Sequence, residues 1–143
     1  MNSSRPQTIL KLRHKKTRQE MYFVNMHTSA GGGRHAATRA AGHQSAVSTV
    51  NRLKQEGLPV FLTGDMNDRE IFFCRVLPPT GMVAAVGGST SGGCRPPGQM
   101  PVDWVVATPD VSFSGYVNDK STKARRISDH HYVAATATIS ARS

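Results

Sequence analysis

The chain has 143 residues, with 18 Lys and Arg against 9 Asp and Glu, and only two cysteines. That is enough chain for one domain with a buried core. No apolar run approaches the roughly 18 residues of a membrane span, the opening MNSSRPQTILKLRHKK has no apolar leader core, and two cysteines exclude a disulfide-rich scaffold or a four-cysteine zinc site.

The charge is uneven along the chain. Residues 1–57 hold ten Lys and Arg against two Glu, whereas residues 58–143 hold eight against seven acids. A basic first third attracts polyanions such as nucleic acid or phosphate-bearing substrates through long-range electrostatics. A solvated cationic surface accounts for the same numbers equally well.

Residues 8–14 (TILKLRH) alternate apolar and basic residues, which predicts a half-buried strand. After a polar turn, residues 20–27 (EMYFVNMH) predict a second strand, more buried, closing an antiparallel hairpin. Residues 28–33 (TSAGGG) are loop. Over residues 34–56, Ala37, Ala40, Ala41, Val47, Val50 and Leu53 recur at helical spacing, and Gly57 with Pro59 supplies a stop. Residues 58–63 (LPVFLT) read as a strand buried on both faces, running into the turn GDMND. A short helix over 71–77 is expected to end at Pro78 and Pro79, and 87–98 is loop by composition. Strands are expected over 102–107, weakly near 111–113, and over 132–139, with 120–126 a basic exposed connection. The fold class is α+β, with sheet dominant. One long helix over about six strands leaves a sheet face that needs another layer.

Four polar clusters fall at strand ends: Asn25 with His27, Asp65 with Asn67, Asp103, and Asp129 with His130. A rigid sheet presents strand-end side chains to one shared pocket. Asn25 and His27 are two apart and so share a strand face. Asp65 and Asn67 also have the pattern of an Asx turn closing a loop. Asp103, between Val102 and Trp104, requires a partner. Two imidazoles, three carboxylates and two amides suit phosphoester hydrolysis, which needs an oriented water, a protected leaving oxygen and charge neutralisation. Mg²⁺ prefers the oxygens that such carboxylates offer. Zinc-ligand spacing is absent, as is a Gly-x-Ser-x-Gly elbow, and His35 and His43 read as surface residues of the helix.

The ordered segments VNMHTSA (24–30), the helix, VFLTGDMND (60–68), VDWVVA (102–107) and ISDHHYV (127–133) resemble the endonuclease/exonuclease/phosphatase superfamily, which shares its fold with pancreatic deoxyribonuclease. The resemblance implies part of a four-layer α/β/β/α sandwich, with the chain as one partial domain over 1–143, the second half of the family's. It implies an Mg²⁺- or Mn²⁺-dependent hydrolase of nuclease, phosphodiesterase or phosphatase type. His27 then resembles the phosphate-binding or leaving-group histidine, Asp65 the carboxylate that positions the attacking water, and Asn67 the amide on a phosphoryl oxygen. Asp129 resembles a metal-associated aspartate, and His130 the base or transition-state-stabilising histidine, oriented by Asp103.

The family's principal Mg²⁺-ligand Glu belongs to the first half. It has no counterpart upstream of His27, where Glu20 is the only acid and lacks the surrounding motif. A missing N-terminal half or an oligomer partner is the corresponding expectation. The substrate is expected to bear phosphate, with nucleic acid one class. The alternative is a non-catalytic basic module that binds polyanions through a vestigial site. Cys74 and Cys94 either pair across the Pro/Gly-rich loop, which would go with export, or stay as reduced thiols.

Overall fold

In the computed structural model, which describes residues 5–140, β1 (Thr8–Arg13) and β2 (Glu20–His27) form the expected antiparallel hairpin. The first residues of the opening segment read above for a leader lie outside the described ones. β2 then pairs in parallel with β3 (Val60–Asp65), the crossover being a 3₁₀ turn and the long helix α1 (Ala36–Lys54). β3 pairs antiparallel with β5 (Asp103–Ala107), and the short β4 (Val83–Ala84) borders β5. The resulting five-stranded sheet has the order β1-β2-β3-β5-β4. A separate two-stranded ribbon joins β6 (Val111–Asp119) to β7 (Tyr132–Ile139). Between them lies one helical turn, α3 (Ser121–Ala124).

The continuous apolar run of β3 is explained by its place. It is the central strand, and α1 with α2 (Glu70–Thr80) covers one sheet face through Tyr22, Val24, Val60, Leu62, Trp104 and Val106. On the opposite face Phe61, Ala107 and Val111 are buried against Met21, Phe23, Phe113 and Ile139. Phe23 stacks on Phe61 at 4.5 Å between ring centroids. The ribbon thus covers only part of this second face. Leu10 (51% exposed) and Leu12 (46%) lie bare on it, opposite Phe23 and Met21.

Four expectations need correcting. β1 is not half-buried: every residue of it is exposed, at the edge of the sheet, with Leu10 and Leu12 uncovered. The buried stripe of α1 is His43, Ala46, Val47, Val50 and Leu53, with Ala37 and Ala41 exposed. His43 is therefore a core residue and not a surface one. α2 does not stop before Pro78. It carries both prolines in its last turn, where Thr80 Oγ1 donates to the Val76 carbonyl and Asn51 donates to the Pro79 carbonyl, and it ends at Gly81 in the left-handed region. The strand near 111–113 is nine residues long.

Cys74 of α2 and Cys94 of the 87–98 loop are disulfide-bonded, with Cα atoms 5.5 Å apart. Cross-linking positions 20 apart removes unfolded-state entropy worth about 3 kcal/mol in the chain-entropy view. Reduction is expected to lower the urea midpoint accordingly. Alkylation of both thiols without reductant would show that the bond is absent.

Candidate active site

Strand pairing alone assembles the first three groups. His27 ends β2 opposite Asp65, which ends β3, and Asp65 lies opposite Asp103, which begins the antiparallel β5. Side chains opposite one another in a ladder share a face. All three therefore project from one end of the sheet onto the face that α1 and α2 leave free. The ladder continues one step past the strand ends, where the Thr28 N–H donates to the Asp65 carbonyl and the Met66 N–H to the Val102 carbonyl, both at 2.9 Å. Rigidity thus extends through the site.

His130 arrives from the loop before β7. Its Nδ1 lies 2.7 Å from the Asp103 carboxylate, and its Nε2 lies 3.6 Å from Asp65 Oδ2. The same Asp65 oxygen is 3.2 Å from His27 Nε2. Asp65 is only 12% exposed, so one nearly enclosed carboxylate oxygen lies between two imidazoles. Hydrogen bonding to Asp103 is the main influence on His130 and raises its pKa above the ordinary histidine value; burial opposes this and the charges of Asp103, Asp65 and Asp129 assist. The partner that Asp103 requires is His130. Arg5 places its guanidinium against the outer side of the His27 ring, 2.9 Å from Nε2.

The GDMND turn combines both readings of its residues. The Asn67 N–H donates to Asp65 Oδ1 at 2.9 Å, a true Asx turn, and Asn67 takes φ +48°. The Asn67 amide also donates to the Thr28 carbonyl at 2.8 Å, which fixes its orientation and leaves its second N–H free of that bond. Asn25 stands apart, bonded to Thr63 Oγ1 at 2.9 Å.

A network that sequence reasoning missed holds this turn from behind. His43 lies wholly buried, with Nε2–H toward the Met66 carbonyl at 3.1 Å and Nδ1 facing the Arg75 guanidinium at 3.1 Å. Burial holds its pKa below the ordinary value, which keeps the ring neutral and fits one donor and one acceptor nitrogen. Arg39 joins Asp68 at 2.9 Å to the carbonyls of Ser29 and Gly31. Trp104 Nε1–H donates to the Asp68 carbonyl at 2.9 Å. The available signal was spacing, since 43, 46, 47, 50 and 53 form one helical stripe.

Asp65, Asp103 and His130 each place a ligand atom within 4.8 Å of the others, a geometry that suits a cation. Asp103 Oδ2 faces His130 and Asp65 Oδ1 accepts from the Asn67 N–H, while Asp65 Oδ2 is turned toward both imidazoles of the site. Asp129 is not one of the three; it lines the neighbouring cleft beside His130. Glu20 lies at the far end of β2, opposite Arg13 and 3.9 Å from Lys11.

No protein-family model and no curated protein sequence matches the chain. Among solved structures, it is similar to the human Nocturnin catalytic domain with bound sulfate anion, at 15% identity and TM-score 0.76, over 96% of this chain and 54% of that one. A Bacteroides vulgatus endonuclease/exonuclease/phosphatase aligns at 19% identity and TM-score 0.68, over 94% and 56%. A Bacteroides thetaiotaomicron mannosyl-6-phosphatase aligns at 15% identity and TM-score 0.67, over 94% and 57%. The chain spans little more than half the length of these structures. At such identities the likeness is one of fold: the chain folds as about half of the α+β endonuclease/exonuclease/phosphatase sandwich, the deoxyribonuclease-I-like fold.

Proposed function

We propose that this chain belongs to a divalent-metal-dependent hydrolase of phosphoester bonds, of nuclease, phosphodiesterase or phosphatase type. The observation that carries the reading is the single Asp65 oxygen between His27 and His130, with Asp103 behind His130. Asp65 orients the attacking water and His130 receives its proton or stabilises the charge that develops, its ring held by Asp103. Asn67 donates to a phosphoryl oxygen without adding negative charge. His27, the more exposed imidazole at 47%, donates to the phosphate or the leaving oxygen.

The donor set fits a hard cation. Mg²⁺ keeps several waters and takes one or two carboxylates plus substrate oxygens, and the Asp65–Asp103–His130 cluster would hold it through Asp65, with Asp129, the metal-associated aspartate of the resemblance, in the neighbouring cleft; Mn²⁺ fits the same set. When bound, the ion would neutralise charge on the phosphoryl group. Residues 1–143 are then a partial domain. The bare face bearing Leu10 and Leu12 is where a further layer, from a preceding segment or a partner chain, completes the sandwich. Such a layer would also supply the acid that Glu20, at the wrong end of β2, cannot.

Hydrolysis of bis(p-nitrophenyl) phosphate in Mg²⁺ tests the reading, with wild type set against His130→Ala. A metal-dependent rate that falls by at least 100-fold in the variant supports it. Equal background rates in both would mean that the chain alone is not a working enzyme. The second reading, a non-catalytic polyanion-binding module, draws on the excess of ten basic residues over two acids in residues 1–57. It requires binding that weakens steeply with salt and ignores both Mg²⁺ and His27→Ala.

A further inference from the structure

Arg39 of α1 stands behind the site and takes no part in the chemistry above, yet its charge is nearly enclosed. Its side chain is 12% exposed and that of its partner Asp68 13%. Asp68 closes the GDMND turn, one residue after Asn67. Its carboxylate accepts from Arg39 Nε–H at 2.9 Å, and its carbonyl accepts from Trp104 Nε1–H at 2.9 Å. The same guanidinium also reaches the other way. Its Nη1 donates to the Ser29 and Gly31 carbonyls at 3.3 and 3.0 Å, on the loop that leaves His27. One planar fork from the helix therefore spans the loop after β2 and the turn after β3.

Those two segments carry His27 and Asn67, the donors assigned to phosphate. They meet at Thr28, whose hydroxyl donates to the Met66 carbonyl at 2.5 Å and whose carbonyl accepts from the Asn67 amide at 2.8 Å. The direction of the Asn67 amide thus depends on where the Thr28 carbonyl lies. Beyond Thr28 the loop reads SAGGG (29–33), which has little side chain to bury and a freely rotating backbone, so hydrogen bonds must fix its path. Stability alone does not call for an enclosed arginine here, since apolar residues in place of a buried ion pair are often as stable or more so. What a guanidinium adds is a rigid set of donors in fixed directions.

We infer that Arg39 is a positioning residue, which clasps the loop after His27 to the Asp68 end of the GDMND turn so that His27 and Asn67 present their N–H groups to one anion. The inference rests on the phosphoester reading above for the roles of those two residues, and adds the group that aligns them. Asp68, the last acid of the turn, is the anchor of the clasp.

The test compares wild type with Arg39→Gln, Arg39→Lys and Lys54→Met by NMR on isotope-labelled protein. Lys54 ties the opposite end of α1 to α2 by donating to the Thr80 carbonyl, so its loss controls for general loosening. Without ligand, solvent exchange of the Asn67 side-chain amide is expected to be about tenfold or more faster in both Arg39 variants and unchanged in Lys54→Met. Inorganic phosphate, titrated in Mg²⁺, is expected to bind both Arg39 variants about tenfold or more weakly, and Lys54→Met as tightly as wild type. Arg39→Lys keeps the charge opposite Asp68 but loses the fork. Its urea midpoint is expected to lie nearer that of wild type than Arg39→Gln does, and weak phosphate binding in a variant that keeps its stability separates alignment from mere support. Should Arg39→Gln fail to fold, Arg39→Lys carries the comparison alone. An Asn67 amide unmoved in the folded Arg39 variants, or the same losses in Lys54→Met, would overturn the clasp. Phosphate bound equally by wild type and both Arg39 variants overturns the clasp alone. A wild type that binds no phosphate, while the Arg39 variants still free the amide, overturns the phosphoester reading and supports the clasp.

Discussion

Gly64→Ala is expected to destabilise the protein by more than about 3 kcal/mol, the sum of strain at a positive φ and displacement of neighbouring backbone. Gly64 takes φ +133° in the central strand, one residue before Asp65, and a Cβ there would lie 1.8 Å from the Met26 carbonyl oxygen and 2.9 Å from its carbon. Both obstructing atoms are backbone, so no side chain can turn aside. Relief requires β2 and β3 to separate at the end where His27 meets Asp65. Gly81→Ala is the control. It shares a positive φ of 71°, but its Cβ would meet only the end of Lys54 at 3.8 Å, which leaves a cost of about 1 kcal/mol from the left-handed backbone. Urea unfolding compares the two. Similar midpoints would mean that close packing at Gly64 is not what the fold depends on. Any folded Gly64→Ala that remains is also expected to lose anion binding at the site.

Much of this could be read in the chain, for reasons that differ by element. The hairpin, β3, β5, β7 and α1 follow from local periodicity, and the site residues fall where those elements end. That His27, Asp65 and Asp103 lie in one row is a matter of pairing order, which periodicity does not carry; it came through the family resemblance, and the ladder accounts for it. The exposure of β1 was not legible, because alternation marks a face as buriable and does not say whether a layer is there to bury it. His43 departs from the expectation for a different reason. Its ring is polar and so falls outside an apolar stripe, yet a neutral imidazole with two partners is compatible with a core. The prolines of α2 show a helix running past its usual stop. Side chains from Thr80 and Asn51 reach the Val76 and Pro79 carbonyls of that last turn.

Asp103→Asn is expected to reduce any hydrolytic kcat by 10³–10⁴-fold, the scale of losses when the carboxylate that fixes a catalytic imidazole is replaced by an amide. The variant keeps the shape but offers Nδ2–H where an acceptor is needed, so His130 turns or takes the other tautomer, and its Nε2 no longer faces Asp65 in the right state. His130→Ala is expected to cost as much, and the double variant little more, since the two act as a unit. The same pair sets a pH signature independent of turnover. Asp103 raises the His130 pKa above the ordinary value of about 6.5. The stabilisation it gives is therefore complete below about pH 6.5 and is lost as the pH rises through the higher folded-state value. In the metal-free protein, Asp103→Asn is expected to bring the His130 titration, followed by NMR, back toward 6.5 and to flatten stability across that window. An unmoved titration would show that Asp103 does not hold the imidazole. A shifted titration with an unchanged kcat would show that the hydrogen bond is structural and that the proton is handled elsewhere.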